Sequence, residues 1–109
     1  NAPAVFRFTG PACPERHLKA AEALGADIGG ADVSGAALED AGDILADRVI
    51  EMMRQTGMPN GLGGVGYEES DLEALTDKAF IQKRLLVNSA REPDRDQLKG
   101  LFRDSLSYW

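Results

Sequence analysis

The chain has 109 residues, of which 43% are hydrophobic, and a net charge of −6, which fits one small domain and is too short for two. The excess of acidic residues argues against nucleic acid as a partner, because that binding depends on clustered lysine and arginine. No apolar run approaches the ~20 residues of a membrane-spanning helix, so we expect no membrane partner. The single cysteine, Cys13, cannot form an internal disulfide and predicts a reducing, cytoplasmic location.

The first two residues, Asn1 and Ala2, resemble the remnant of a cleaved expression tag. We therefore expect residues 3–109 to form one helical domain that is a truncated part of a longer protein. A cut of this kind exposes apolar surface that the rest of the protein normally covers.

Apolar residues at helical spacing predict a first helix over residues 14–24, with Gly25 at its end. The glycine-rich stretch 27–35 has no apolar period and is predicted to be a mobile connection. The strongest pattern follows, since the apolar residues from Leu38 to Met52 step by three and four. This second helix is predicted to span about five turns.

A third helix is predicted over residues 67–80, because acidic residues precede an apolar face that repeats at helical spacing. Alternatively, this helix starts later, with Ser70 and Glu73 forming a capping box. Residues 82–93 are ambiguous, and Leu85-Leu86-Val87 fits either a short strand or a buried bend. The last predicted helix begins at Asp94 as N-cap, with Gln97 at the third helical position. The fold class is therefore an all-α bundle of about four main helices joined by glycine-rich loops.

The segment Gly61-Leu-Gly-Gly-Val-Gly66 matches the G-x-G-x-x-G pattern, which can hold a pyrophosphate where a strand turns into a helix. Here a predicted helix precedes it instead of a strand. We therefore interpret these glycines as a loop that needs positive φ at several positions.

Two residues of the first predicted helix region carry reactive side chains. His17 has the chemistry of a general base, but no nucleophile or metal partner is evident, so an exposed or half-packed residue is the better interpretation. Cys13 lies near a helix N-terminus, and without a second catalytic group it is interpreted as a small packing residue.

Two clusters have a structural and a functional interpretation. The acidic residues near the start of the third helix are interpreted as a solvated turn and not as a cation site. The methionines are interpreted as core residues and not as a binding groove. These clusters comprise Glu68, Glu69, Asp71 and Glu73, and Met52, Met53 and Met58.

Arg84 stands apart because it lies in the least regular segment, beside the apolar residues Leu85 to Val87. A guanidinium next to apolar chain is suited to bidentate binding of a carboxylate, although a solvated arginine remains an alternative.

Several segments, taken in order and spacing, resemble the C-terminal end of the iron-containing alcohol dehydrogenases, and among them the hydroxyacid-oxoacid transhydrogenase branch. The segments are Pro3-Ala-Val-Phe-Arg-Phe-Thr9, Pro14-Glu-Arg-His-Leu18, Ala23-Leu-Gly-Ala-Asp27, Gly61-Leu-Gly-Gly-Val-Gly-Tyr67, Asp71-Leu72, Ala74-Leu75 and Asp96-Gln-Leu-Lys-Gly-Leu-Phe102.

The resemblance implies a two-domain enzyme. An N-terminal Rossmann-like domain, missing from this chain, would hold NAD or NADP, and a divalent metal, iron or zinc, would lie in the cleft between the domains. The resemblance also implies that Ala4 occupies the position of a histidine ligand in metal-dependent relatives, so this chain is expected to supply no metal ligand and no catalytic residue. The resemblance leaves open whether the complete enzyme forms a homo-oligomer.

In the branch that the sequence resembles, the substrates carry carboxylates, and the segment leading to Asn88 approaches the substrate and nicotinamide region. Arg84 is therefore a candidate substrate-binding residue. We expect an oxidoreductase that moves hydride between a hydroxy acid or alcohol and an oxo acid or aldehyde, with the fragment alone inactive. The alternative is a free-standing helical protein-interaction module without catalytic activity.

Overall fold

The computed structural model describes residues 1–28 and 38–109, and all regular structure in these residues is helical. This confirms the predicted all-α class. None of the described helices is long and apolar enough to cross a membrane. The helices are α1 (Ala2–Thr9), α2 (Pro14–Ala23), α3 (Ala41–Gln55), α4 (Leu72–Phe80), α5 (Lys83–Leu86) and α6 (Arg95–Asp104), with short 3-10 turns at Gly10–Ala12, Gly63–Val65 and Glu69–Asp71.

The helix α1 was not predicted from the sequence. Its only proline, Pro3, lies in the first turn, where the missing backbone N–H breaks no intrahelical hydrogen bond. The helices α2, α3 and α6 follow the prediction closely, whereas most of the predicted connection 27–35 lies outside the described residues.

The helix α3 packs against both α1 and α2. The contact with α1 is a close backbone approach, since a Cβ added at Gly42 would lie only 2.7 Å from the carbonyl oxygen of Phe6. At its edge, the Arg7 guanidinium donates to Asp43 at 2.9 Å and to Asp47 at 2.7 Å. These exposed ion pairs link the two helices at the edge of their contact.

The apolar core of this half is aliphatic. Leu18 and Ala21 of α2 are 1% and 0% exposed, and Leu45 and Ala46 of α3 are 4% and 0% exposed. Burial of such side chains contributes about 25 cal/mol per Å² removed from water, so this contact stabilises the pairing of α2 with α3.

The second half of the bundle pairs α4 with α6. Leu72 and Thr76 of α4 are fully buried, and Leu98 of α6 is 7% exposed. Gln97 and Asp94 cap the start of α6 reciprocally, with the Gln97 N–H donating to Asp94 at 2.8 Å, which confirms the predicted helix start.

The third helix begins later than residue 67, as the alternative start allowed, but its capping residues are not Ser70 and Glu73. Glu68 and Asp71 form a reciprocal cap around a 3-10 turn, and α4 starts only at Leu72. The residues from Tyr67 to Asp71 therefore precede the α-helix because their side chains bond to local backbone groups.

The glycine-rich loop after α3 packs on the C-terminal end of the chain. The Leu62 and Gly63 N–H groups donate to the carbonyl oxygens of Ser105 and Leu106 at 2.8 and 2.9 Å. Gly61 and Gly66 have φ of 66° and 95°. A helix and not a strand precedes this loop, and its glycines adopt positive φ in the turn, as the sequence indicated. They also allow the close backbone contact, which the sequence did not indicate.

Both alternatives for Leu85-Leu86-Val87 are wrong. Leu85 and Leu86 lie in the short helix α5, and the segment is not buried, since Leu85 and Val87 are 60% and 58% exposed. Periodicity cannot separate a strand from a short helix in so brief an apolar run, and it assumes that apolar residues are covered.

Candidate functional site

Arg84 lies in α5 with its side chain exposed to solvent. Within the described residues its guanidinium makes no ion pair and no hydrogen bond, so its donors are available to a ligand. Its backbone carbonyl accepts a hydrogen bond from the Asn88 side-chain amide at 2.9 Å, which closes the C-terminal end of this short helix.

The other two cations of this region are already engaged. The Lys83 ammonium lies 3.2 Å from the ring centroid of Phe80. The Arg91 guanidinium lies 4.1 Å from the ring centroid of Phe8 and donates to the Phe8 carbonyl oxygen at 3.2 Å. Cation–π contacts of this kind occupy both groups, so Arg84 is the free cation of residues 80–91.

The surroundings of Arg84 combine positive charge with exposed apolar surface. Residues 80–91 include no acidic residue, although the whole chain has 18. Ile81, Leu85 and Val87 are 73%, 60% and 58% exposed. An anion bound here meets no competing carboxylate within the segment, and covering the apolar side chains would strengthen its attraction to Arg84. The sequence alone shows that residues 80–91 contain no acidic residue, but it does not show that Ile81, Leu85 and Val87 are exposed.

The structure corrects the interpretation of His17 as an exposed or half-packed residue, because it is buried, with 7% exposed. Its Nε2 lies 2.9 Å from the Thr9 hydroxyl, and its Nδ1 lies 3.0 Å from the Cys13 carbonyl oxygen. The Cys13 sulfur lies 3.4 Å from the same Nδ1. Both ring nitrogens are thus engaged inside the fold, and His17 joins α1 to α2. Cys13, partly exposed, is the N-cap residue of α2.

The acidic residues near α4 are structural, but they are not simply a solvated turn. Arg103 of α6 pairs with Glu69 at 2.8 Å. Arg95 bridges Glu73 and Asp77, each at 2.6 Å, and Lys99 also contacts Glu73. These pairs connect α4, and the 3-10 turn before it, to α6 across their exposed edge.

The charge pairs change the proton affinity of their members. Hydrogen bonds from Arg95 and Lys99 lower the pKa of Glu73 from 4.5 to about 2. The same bond with Glu73, together with that to Asp77, raises the pKa of Arg95 above its ordinary value. Glu69 raises the pKa of Arg103. These shifts favour the charged forms and stabilise the α4–α6 pairing.

None of the three methionines is a buried core residue, which contradicts the prediction. Met52 and Met58 are 36% and 54% exposed, and Met53 is half-buried. Met52 and Met53 lie in the last turns of α3, and Met58 follows the helix in the loop.

The residues that the structure describes do not fit a metal centre. They contain no group of three or more His, Cys, Asp or Glu side chains that converge as ligands. Ala4 is 4% exposed and has no donor atom, and His17 is held by Thr9 and Cys13. A metal in a longer enzyme would need ligands from outside the described residues.

Comparison with known proteins identifies the family. A family model described as "Fe-containing alcohol dehydrogenase family, C-terminal" matches residues 1–106. The chain therefore belongs to the iron-containing alcohol dehydrogenase family and corresponds to its C-terminal domain, as the sequence motifs indicated. No solved structure matches the chain.

Curated relatives align over the whole chain. A probable hydroxyacid-oxoacid transhydrogenase, mitochondrial, of Dictyostelium discoideum is 39% identical over 109 residues, which are 19% of its length. Hydroxyacid-oxoacid transhydrogenases, mitochondrial, of Xenopus laevis and Caenorhabditis elegans are both 41% identical and are covered to 22% and 23%. The chain thus spans about a fifth of the length of these relatives.

The expected cytoplasmic location is wrong, because these relatives are named as mitochondrial proteins. The expectation rested on a single free cysteine. A free cysteine indicates a reducing compartment, but it does not distinguish the cytosol from another reducing compartment.

Proposed function

We propose that this chain is the C-terminal helical part of an oxidoreductase that transfers hydride between a hydroxy acid or alcohol and an oxo acid or aldehyde. The observation that carries the proposal is the identity of 39–41% to hydroxyacid-oxoacid transhydrogenases across all 109 residues. NAD or NADP, and iron or zinc, would be held largely by the preceding Rossmann-like domain and the cleft beside it.

The isolated chain is expected to be inactive. Its G-x-G-x-x-G segment follows a helix and packs on the C-terminal end of the chain, which is not the strand-to-helix turn that binds a dinucleotide. A hydride carrier and the groups that act on it would therefore come from the rest of the enzyme.

In the complete enzyme, Arg84 would bind the carboxylate of the hydroxy or oxo acid. Its guanidinium is the unengaged cation of residues 80–91, and a planar guanidinium matches a carboxylate in a bidentate geometry. The contact would orient the acid without taking part in hydride transfer. Simple alcohols lack this group and would not depend on Arg84.

Steady-state kinetics of Arg84→Ala in the complete enzyme test this role. A charge-assisted hydrogen bond contributes about 1.5–3 kcal/mol, so kcat/KM for a hydroxy acid should fall roughly ten- to a hundredfold. Turnover of a neutral alcohol should change little.

The matched control is Arg16→Ala. Arg16 is an exposed arginine of α2 that makes no ion pair within the described part of the chain. Equal effects of the two variants on a hydroxy acid would contradict the assignment, and so would an equal loss by Arg84→Ala on acid and alcohol. If the complete protein transfers no hydride between any hydroxy and oxo compounds, the proposed function itself is wrong.

A further inference from the structure

We propose that residues 81–87 form a contact surface for the N-terminal part of the complete enzyme, and that an apolar surface of that part covers them. This proposal rests on the proposed function, because it requires the longer enzyme. It adds to that function a definite place where the two parts of the chain meet.

Among the described residues, α5 has no extensive packing partner. The other described helices pack in extensive contacts, α1 and α2 with α3, and α4 with α6, whereas α5 packs extensively against none of them. None of its four residues is buried. An isolated helix of one turn is unstable in water without tertiary contacts, so α5 needs a surface to pack against.

Exposed apolar residues are concentrated in this segment. Ile81, Leu85 and Val87 are each more than half exposed within seven consecutive residues. Single exposed apolar side chains are ordinary on protein surfaces, but a group of large ones next to each other in the chain marks an interaction site.

The N-terminal part of the complete enzyme fits as the surface that covers residues 81–87. The relatives are about five times as long as this chain, and the matching family model describes a C-terminal part, so an N-terminal part is available to cover the segment. A second copy fits less well. A symmetric contact would place Lys83 and Arg84 close to the same cations of the other copy.

This placement also explains how Arg84 can reach a ligand. If the apolar side chains on either side of Arg84 are covered by the preceding part of the enzyme, the guanidinium lies at the boundary of the two parts. Ligand sites are common at such boundaries.

The test compares two valines of equal exposure in the complete protein. Val87 lies in the segment and Val65 lies in the glycine-rich loop, and each is 58% exposed. We expect Val87→Asp to lower the thermal unfolding midpoint by roughly 5 °C or more, because it places a carboxylate against apolar surface that is removed from water at the interface. Val65→Asp should lower it by less than roughly 2 °C, as for a surface substitution.

Equal midpoint changes in the two variants, or no change in Val87→Asp, would overturn the proposal. Light scattering on the same samples distinguishes a contact with the N-terminal part from a contact with a second copy. If Val87→Asp lowers the midpoint only by dissociating an oligomer, the segment contacts a second copy and the proposal is wrong.

Activity distinguishes this proposal from the proposed function. A complete protein that oxidises hydroxy acids but tolerates Val87→Asp would retain the proposed function and refute the contact. A complete protein without such activity that is selectively destabilised by Val87→Asp would refute the proposed function and support the contact itself.

Discussion

At the scale of single residues, Gly61 shows how strongly one backbone position constrains the sequence. Its φ is 66°, and a Cβ there would lie 2.4 Å from the Ser105 carbonyl oxygen. The strain of a left-handed conformation and a steric clash with backbone therefore coincide at one position. The glycine pattern predicted the conformation, but the contact with Ser105 required the fold.

Gly61→Ala is expected to destabilise the chain much more than Gly57→Ala. Gly57 also has positive φ, 69°, but a Cβ there meets nothing within 4 Å. Gly57→Ala should cost about 1–2 kcal/mol for the left-handed conformation alone. Gly61→Ala should cost that amount and a further penalty for displacing the Ser105 backbone.

Urea unfolding of the two variants measures this difference. Similar midpoints for Gly61→Ala and Gly57→Ala would show that the loop moves away from Ser105 without cost. Both variants carry the cost of the left-handed conformation, so the difference between their stabilities measures the cost of the close contact with Ser105.

His17 illustrates a residue whose surroundings the sequence did not indicate. Its burial depends on Thr9 at the end of α1, eight residues away, and α1 itself was not predicted. The sequence placed His17 correctly in the helix α2, but the predicted exposure of its side chain was wrong. Burial of a helix face follows from the packing partner and not from the helix alone.

At the scale of elements, the prediction was best where the chain carries its own start and stop signals. The cap of α6 by Asp94 and Gln97 was readable because both partners lie three residues apart. The start of α4 was misplaced because Glu68 and Asp71 form a cap inside the predicted helix. The ion pairs between α4 and α6 join residues more than 17 apart, and no local pattern indicates them.

The α4–α6 pairing should depend on pH through Glu73. The pKa of Glu73 is about 2 in the folded chain and 4.5 without its partners. A depressed pKa means that the unfolded chain binds the proton more readily, so the stabilisation is complete above pH 4.5 and is lost as the pH falls towards 2.

Glu73→Gln should therefore be less stable than the natural chain at pH 7, and the difference should vanish near pH 2. Thermal unfolding followed by circular dichroism across this range checks the prediction. Glu22→Gln is the control, because Glu22 is exposed and makes no ion pair with the described residues. A Glu73→Gln difference that is constant with pH would exclude the charge pairs as its cause.

At the scale of the whole molecule, the sequence identified the helical class, the family and Arg84 as the candidate binding residue. It did not indicate the exposed segment around Arg84, because apolar periodicity predicts burial within the chain at hand. The residues 81–87 are exposed because neither half of the bundle covers them. Under the proposed contact, their environment is set by the N-terminal part of the complete enzyme.

The chain alone should bind no metal tightly. Iron and zinc require about three or four converging ligands, and the described residues contain no such group. Titration calorimetry with zinc or ferrous ion should show no strong one-to-one binding. A tight site at this stoichiometry would contradict the expectation and would direct the search for ligands to residues 29–37.

The weak attachment of α5 has a consequence for limited proteolysis. Lys83 and Arg84 are consecutive trypsin sites in an exposed helix of a single turn, which can open without disturbing the core. Trypsin should cut the isolated chain there first. The contacts of α4 with α6, on either side of the cut, should hold the two fragments together under native conditions, so the chain would migrate as one species until denatured.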